Sequence, residues 1–242
     1  MSDHGAFVIT GGSRGLGAAL AEKAYSLGFP VALIARGKAD LEKTKDEILK
    51  KFGSKTMLSI HAVDLTDEKK TAKTFDEIRS IHQSLRVLVN NAGTWTGGKS
   101  IQELTHEDVQ DSLDLNFFAA FNATKALLAN HKSGDSLSII NIGATASLRG
   151  AARTSAFAVA KSALRAFSQS LARELGPEGV HVAHFVIDGM IDNPRTRKLN
   201  ARRPDNRYLS MESLSKEILH VAFQEPDCWT FEWDARTHNA EW

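Results

Sequence analysis

The segment TGGSRGLG, residues 10–17, leaves an apolar run and enters a helical pattern. Gly11, Gly15 and Gly17 let the backbone turn tightly and approach a pyrophosphate, whose charge the free N–H groups of the next helix can hold. The spacing is GxxxGxG. After the second apolar run comes ARGKADLEK, with Ala35 and Arg36 where an NAD-specific site usually puts an acidic residue for the ribose 2′-hydroxyl. Arg14 and Arg36 together place two guanidinium groups at one ribose corner. That charge suits a 2′-phosphate and favours NADP(H) over NAD(H). A third stretch, TSAFAVAKSALRAF (154–167), reads as a helix carrying Lys161, with Phe157 one turn earlier on the same side. The lysine can serve acid/base chemistry, but a phenyl ring neither donates nor accepts a proton.

These residues need elements to hold them. Short β-rich apolar runs at 6–10, 31–35, 57–63, 86–90, 136–142, 180–187 and 229–233 read as strands. Helical spacing covers 15–28, 39–52, 67–83, 105–131 (broken once), 155–175 and 210–223. Thr66 and Thr105, each before an acidic first turn, read as N-caps. Most strands are continuously apolar, as expected when helices cover both faces of a parallel sheet. The alternation predicts an α/β protein with one doubly wound, Rossmann-type parallel sheet of about seven strands and helices on both faces. No repeat or linker divides the chain, so 1–242 reads as a single domain. The irregular stretch 188–210 is too long for a simple connection and reads as a substrate-side lid.

Composition narrows the partners. Thirty basic and 29 acidic residues leave a net charge of +1, which gives no reason to expect nucleic acid or an anionic membrane. No apolar run approaches membrane-spanning length. The sole cysteine, Cys228, cannot form an internal disulfide, and no His/Cys spacing suggests a metal site. The N-terminal MSDHGAFVIT enters a strand almost at once, which predicts no signal peptide and a cytoplasmic protein. His181 and His184 alternate along one strand and are expected to pack within the sheet.

Taken in order, TGGSRGLG, VDLTD, NNAG and LDLNFFAAFNATKA make the chain resemble the short-chain dehydrogenase/reductase family nearly end to end. The resemblance implies a dinucleotide site formed by Gly11, Ser13, Arg14, Gly15, Leu16, Arg36, Asp64, Leu65, Asn91, Ala92, Gly93, Lys161, Gly189 and Ile191. Asp64 would meet the adenine amino group, and Asn116 is the counterpart of the family's catalytic Asn. The family transfers a hydride between nicotinamide and a carbonyl or alcohol with the help of a Ser, a Tyr, a Lys and that Asn. A gapless alignment puts Lys161 on the lysine, Phe157 on the tyrosine and Ala144 on the serine, with Gly143 replacing the adjacent serine. The chain's tyrosines, Tyr25 and Tyr208, fall in the first helix and the lid.

A second departure is VIDGMIDNP, where Asp188 takes the place of the family's proline and Asp192 or Asn193 that of its threonine. Asp188 is expected either to act as a substitute acid/base or to be a structural carboxylate bonded to backbone N–H groups. Asn116, Lys161 and Asp188 are therefore the candidate catalytic residues, with water-assisted Lys161 or Tyr208 as further stand-ins for the tyrosine. The expected function is an NADP(H)-dependent oxidoreductase acting on a small carbonyl or alcohol. A catalytically silent NADP(H)-binding or regulatory protein is the alternative, and a dehydratase or isomerase using Asp188 as base is a third reading. The basic run RTRKLNARRPDNR hints at anionic substrates such as acyl-thioesters or phosphates. A homodimer or homotetramer is expected from the resemblance and from the tryptophan-rich tail CWTFEWDARTHNAEW.

Overall fold

The computed structural model describes residues 5–132 and 136–240. The first residues of the N-terminal stretch and the last two of the aromatic tail lie outside them.

Strand β1 (Ala6–Thr10) leads through the glycine loop into α1 (Gly15–Ser26), followed by β2 (Val31–Ala35), α2 (Lys38–Phe52), β3 (Leu58–Ala62), α3 (Glu68–His82) and β4 (Leu85–Asn90). The second half runs α4 (His106–Leu113), α5 (Ala119–Leu128), β5 (Leu137–Ala144), α6 (Ser155–Leu175) and β6 (Val180–Ile187). The chain closes with β7 (Met190–Ile191), α7 (Pro194–Leu199), β8 (Tyr208–Leu209), α8 (Met211–Ala222) and β9 (Glu232–Ala235). The main sheet has seven parallel strands in the order β3-β2-β1-β4-β5-β6-β9, the doubly wound arrangement the alternation predicts.

Apolar side chains leave both faces of this sheet. One layer joins Phe7, Ile9 and Phe185 to Leu20 of α1, Leu41 of α2 and Ile218 of α8. The opposite layer joins Val8, Leu88 and Ile139 to Phe75 and Ile78 of α3, Ala123 of α5 and Leu171 of α6. Each large side chain so buried contributes about 1.5–3 kcal/mol.

Three buried polar side chains interrupt the second layer. Asn90 faces Asn141, and Asn141 faces His184, so the three form one row across β4, β5 and β6. Asn90 Nδ2 donates to Asn141 Oδ1 at 2.8 Å, and Asn141 Nδ2 donates to Ser168 Oγ at 2.8 Å. That last bond ties α6 to the middle of the sheet two helical turns from Lys161. The row thereby fixes where the lysine stands.

Three elements differ in detail from the sequence reading, while the expected Thr105 cap is present. The break expected within 105–131 is a π-helical turn, Asp114–Phe118, joining α4 to α5 without leaving the helix axis. Thr105 caps α4 in a reciprocal capping box with Asp108. Thr66, however, does not cap α3. Its N–H and hydroxyl both donate to Asp64 Oδ1, and Asp67 caps the helix by accepting from Lys70 N. The last strand falls at 232–235 rather than 229–233. Trp229 stacks on His181 and donates to Gln224 O, in extended backbone ahead of the residues paired with β6.

Candidate functional site

The glycine loop stands at the carboxyl end of β1, beside β4, where the strand order reverses. Gly11 has φ +66°, and a Cβ there would lie 2.9 Å from Asn91 Nδ2. A Cβ on Gly17 would lie 2.3 Å from Gly11 O, so α1 can approach β1 this closely only without side chains. The first turn of α1 holds no acidic residue, and Arg14 at its N-cap makes no side-chain cap bond. The first N–H groups of α1 are thus not capped by a side chain of the N-cap residue.

The NNAG segment is bolted to the same loop. Thr10 Oγ1 accepts from Asn91 N and Ala92 N, both at 3.0 Å, and Asn91 Nδ2 donates to Thr10 O at 3.0 Å. Arg14 and Arg36 are both exposed, and among the described residues neither takes part in an ion pair. Asp64 is exposed at the end of β3, and Leu65 is buried with its carbonyl accepting from Asn122 Nδ2. A cleft of about 490 Å³ opens beside Arg14 on the outer side of the loop, lined by Ser13, Asp40, Lys43, Thr44 and Met211 among others. It does not reach Lys161.

Asn116 sits within the π-helical turn, 1% exposed. Its Oδ1 accepts from Thr94 N at 3.0 Å, and its Nδ2 donates to Ser112 O at 3.1 Å. Lys161 comes down from α6 and donates through Nζ to Ile142 O at 2.9 Å. Burial pushes its ammonium pKa down to about 8. Gly93 lies between them: a Cβ there would stand 2.8 Å from Asn116 Oδ1 and 3.5 Å from Lys161 Nζ. The fold thus brings Gly93, Asn116 and Lys161 from three separate segments to one spot. The partly buried Phe157 ring lies over that spot, its centroid 5.9 Å from Lys161 Nζ.

Asp188 is one residue past the end of β6, with a side chain only 11% exposed. Its expected backbone N–H partners are absent among the described contacts; side chains take their place. Thr145 Oγ1 donates to Oδ1 at 2.5 Å, while Arg149 Nη2 and Arg236 Nη2 each lie 3.3 Å from Oδ2. Gly189 and Ile191 follow, Ile191 pairing with Leu209 in the short β7–β8 sheet.

Asp192 and Asn193 are engaged locally. Asp192 binds Arg197, and Asn193 caps α7 by accepting from Arg195 N and Thr196 N. Tyr208 is likewise spent: its hydroxyl donates to Asn200 O at 3.0 Å, and its ring lies between Arg197 and Arg203. Arg195, Lys198 and Arg202 of the basic run remain exposed. Thr145, Arg149 and Arg236 were not singled out by sequence reasoning. The signal available was a hydroxyl and an arginine soon after a strand end.

The two histidines of β6 differ. His181 Nε2 bonds Thr230 O at 2.9 Å under the Trp229 ring. His184 is fully buried, and neither ring nitrogen has a hydrogen-bond partner. Burial, reinforced by Lys161 and Arg165 and opposed by Glu232, pushes its pKa down to about 4. Its Nε2 lies 2.3 Å from where a Cβ on Gly143 would be, so the imidazole fills the space a side chain at 143 would need. Among the described residues, no group of three or more His, Cys, Asp or Glu side chains is placed to hold a metal ion. No helix among them is long and apolar enough to cross a membrane.

A doubly wound parallel sheet with a glycine loop at its switch point defines the dinucleotide-binding class of α/β proteins. Within that class, the short chain dehydrogenase family model matches residues 6–204, and the chain belongs to that family of oxidoreductases. The 3-oxoacyl-(acyl-carrier-protein) reductase FabG of Escherichia coli (strain K12) is 30% identical over 226 residues, 90% of this chain and 89% of that protein. The protein of the same name from Aquifex aeolicus (strain VF5) is 29% identical over 224 residues, 88% of each chain. A short chain oxidoreductase from Pseudomonas aeruginosa PAO1, described as containing an atypical catalytic centre and seen with NADPH bound, aligns with a TM-score of 0.89. It is 22% identical, with 98% of this chain and 97% of that one covered, a likeness that speaks to the fold.

Proposed function

We propose that the protein binds NADP(H) and catalyses hydride transfer between it and a small carbonyl or alcohol without the tyrosine and serine of its relatives. The observation that carries this reading is the convergence of Gly93, Asn116 and Lys161 beside a glycine loop pinned to the NNAG segment. The cofactor supplies the hydride or accepts it. Gly11, Ser13, Gly15 and Leu16 would hold its pyrophosphate, and Arg14 and Arg36 a 2′-phosphate. Asp64, Leu65, Asn91 and Ala92 would flank the adenosine, with Gly189 and Ile191 on the nicotinamide side. Lys161 would bind the nicotinamide ribose, and its lowered pKa lets it exchange a proton near neutral pH.

The 188–210 segment would cover the substrate. Relatives named as 3-oxoacyl reductases, and exposed Leu199 beside Lys198 and Arg202, support an acyl substrate carrying an anionic group. The clustered rings of Phe117, Phe118, Phe121 and Phe167 support a second copy docking on α5 and α6, in preference to the tryptophan tail. Trp229 and Trp233 instead pack against His181 and His220 of their own chain.

Fluorescence titration with NADPH and NADH, followed by a panel of aldehydes, ketones, quinones and 3-oxoacyl thioesters, tests the reading. Bound cofactor with no turnover above background defeats it. The silent reading is favoured by one observation: Phe157 and Ala144 carry no exchangeable side-chain proton. Reductase activity that appears only in the Phe157→Tyr/Ala144→Ser double variant would establish that alternative.

A further inference from the structure

The hydroxyl that the site lacks at position 144 stands one residue further on, at Thr145, and a carboxylate, Asp188, lies against it. Ala144 and Ile187 form the last rung joining β5 to β6. Thr145 and Asp188 are the next residues of the two strands, at the carboxyl edge where doubly wound sheets bind their ligands. The Lys161 anchor, Ile142 O, is on β5 three residues before Thr145. We propose that Thr145 and Asp188 form a hydroxyl–carboxylate relay that takes the proton from an alcohol substrate.

Three features support this pairing. Thr145 Oγ1 is 2.5 Å from Asp188 Oδ1, so the hydroxyl spends its hydrogen on the carboxylate and turns its lone pairs outward as an acceptor. The other carboxylate oxygen faces Arg149 and Arg236, each at 3.3 Å, with Arg236 also paired to Asp234, so the carboxylate is held in one orientation. The geometry is also held from behind: Asp188 N donates to Ala235 O at 2.8 Å, tying the base to β9, and Thr145 opens a helical turn that returns bonds from Leu148 N and Arg149 N. An orphan carboxylate at this depth would be costly, whereas this one is positioned by groups from three segments of the chain.

The step balances as follows. The alcohol carbon gives its hydride to the oxidised nicotinamide dinucleotide, and the C–O bond becomes a carbonyl. The alcohol proton passes to Thr145 Oγ1 as the threonine proton passes to Asp188 Oδ1. Asp188, at the rim of the site, then returns the proton to solvent. The reverse sequence reduces a carbonyl. Asp188 reaches the substrate only through Thr145, so it is a positioning and proton-accepting residue.

This inference rests on the oxidoreductase reading. The test compares wild type with Thr145→Val, Thr145→Ser and Asp188→Asn, using NADP⁺ and the best alcohol from a substrate panel. Thr145→Val and Asp188→Asn should each lower kcat by about 10²–10⁴-fold, with KM and the NADP⁺ dissociation constant within about twofold. Thr145→Ser should stay within about tenfold of wild type, and the double variant should be no slower than either single one, as expected for residues acting as a unit. Independently of turnover, proton NMR of the protein should show a slowly exchanging, downfield hydroxyl resonance that both Thr145→Val and Asp188→Asn abolish.

Thr145→Val preserves shape, so it stays informative if Asp188→Asn fails to fold. Wild-type kcat in Thr145→Val overturns the relay while leaving the oxidoreductase reading intact. Absence of turnover in wild type with cofactor bound overturns both.

Discussion

Gly143→Ala is the sharpest perturbation of the site's foundations. The new Cβ would stand 2.3 Å from His184 Nε2, 2.6 Å from its Cε1 and 3.0 Å from Ser147 Oγ, where ordinary contact begins near 3.4 Å. The imidazole must therefore retreat by about 1 Å, yet it is fully buried among Asn141, Lys161 and Arg165. Overpacking of this kind costs about 1–3 kcal/mol, and a ring with no exposed edge belongs in the upper half of that range. Ser147 cannot yield freely either, because it holds Ala144 N at 3.2 Å. At about 2–4 °C per kcal/mol for a chain of this size, a loss of about 2–3 kcal/mol lowers Tm by about 4–12 °C.

Calorimetry or urea unfolding measures this loss, and a double-mutant cycle isolates its cause. His184→Ala removes the obstruction, so adding Gly143→Ala to it should cost almost nothing, giving a coupling of about 2–3 kcal/mol. A Gly143→Ala variant within about 0.5 kcal/mol of wild type, or additive effects in the cycle, would refute the claim that the imidazole occupies the space of a side chain at 143.

Three further outcomes follow from the same geometry. Lys161 carries its charge below a pKa of about 8, so NADPH should bind more weakly as pH rises through 8, and Lys161→Met should bind poorly with little pH slope; identical slopes by fluorescence titration would count against the lysine's role. Arg14→Ala and Arg36→Ala should each weaken NADPH by about 10–100-fold and leave NADH nearly unchanged, from the loss of a charge-assisted hydrogen bond of about 1.5–3 kcal/mol. Acid should destabilise the fold, because His184 and His82 are both pushed down to about 4, mainly by burial. The unfolded chain then binds more protons between pH 4 and 6.5, so their stabilisation is complete above about 6.5 and is lost as pH falls toward 4. Equal urea midpoints for wild type at pH 7 and pH 5 would contradict this, and His184→Phe should flatten part of the slope.

The sheet was legible because its signal is local. Continuous apolar runs marked β1, β2 and β6 to the residue, and helical spacing did the same for α6. Burial on both faces leaves a strand no polar alternation, so those boundaries coincide with the composition change. The C-terminal strand was misplaced for the opposite reason. Trp229 and Thr230 have strand-like chemistry, but their side chains are engaged with His181 and Gln224 ahead of the paired residues of β9. Thr66 stands one residue before the cap position of α3, which Asp67 fills by accepting from Lys70 N, while Thr66 donates to Asp64.

For the site, the sequence by itself named the residues proposed to bind a dinucleotide and the position near Lys161 that holds no exchangeable proton. Motif spacing encodes both, since a glycine loop and a helix repeat act over a few residues. Only the tertiary structure decided what surrounds Asp188, why position 143 is glycine, and that Tyr208 is spent on Asn200. Thr145 comes from the end of β5, Arg149 from the loop beyond it and Arg236 from past the final strand, so their meeting at one carboxylate depends on β5, β6 and β9 lying side by side. The His184–Gly143 fit depends on the same pairing, because strand register sets which side chains share a face. Local pattern specifies the elements, whereas through-space contacts, which leave no mark on neighbouring residues, specify the chemistry.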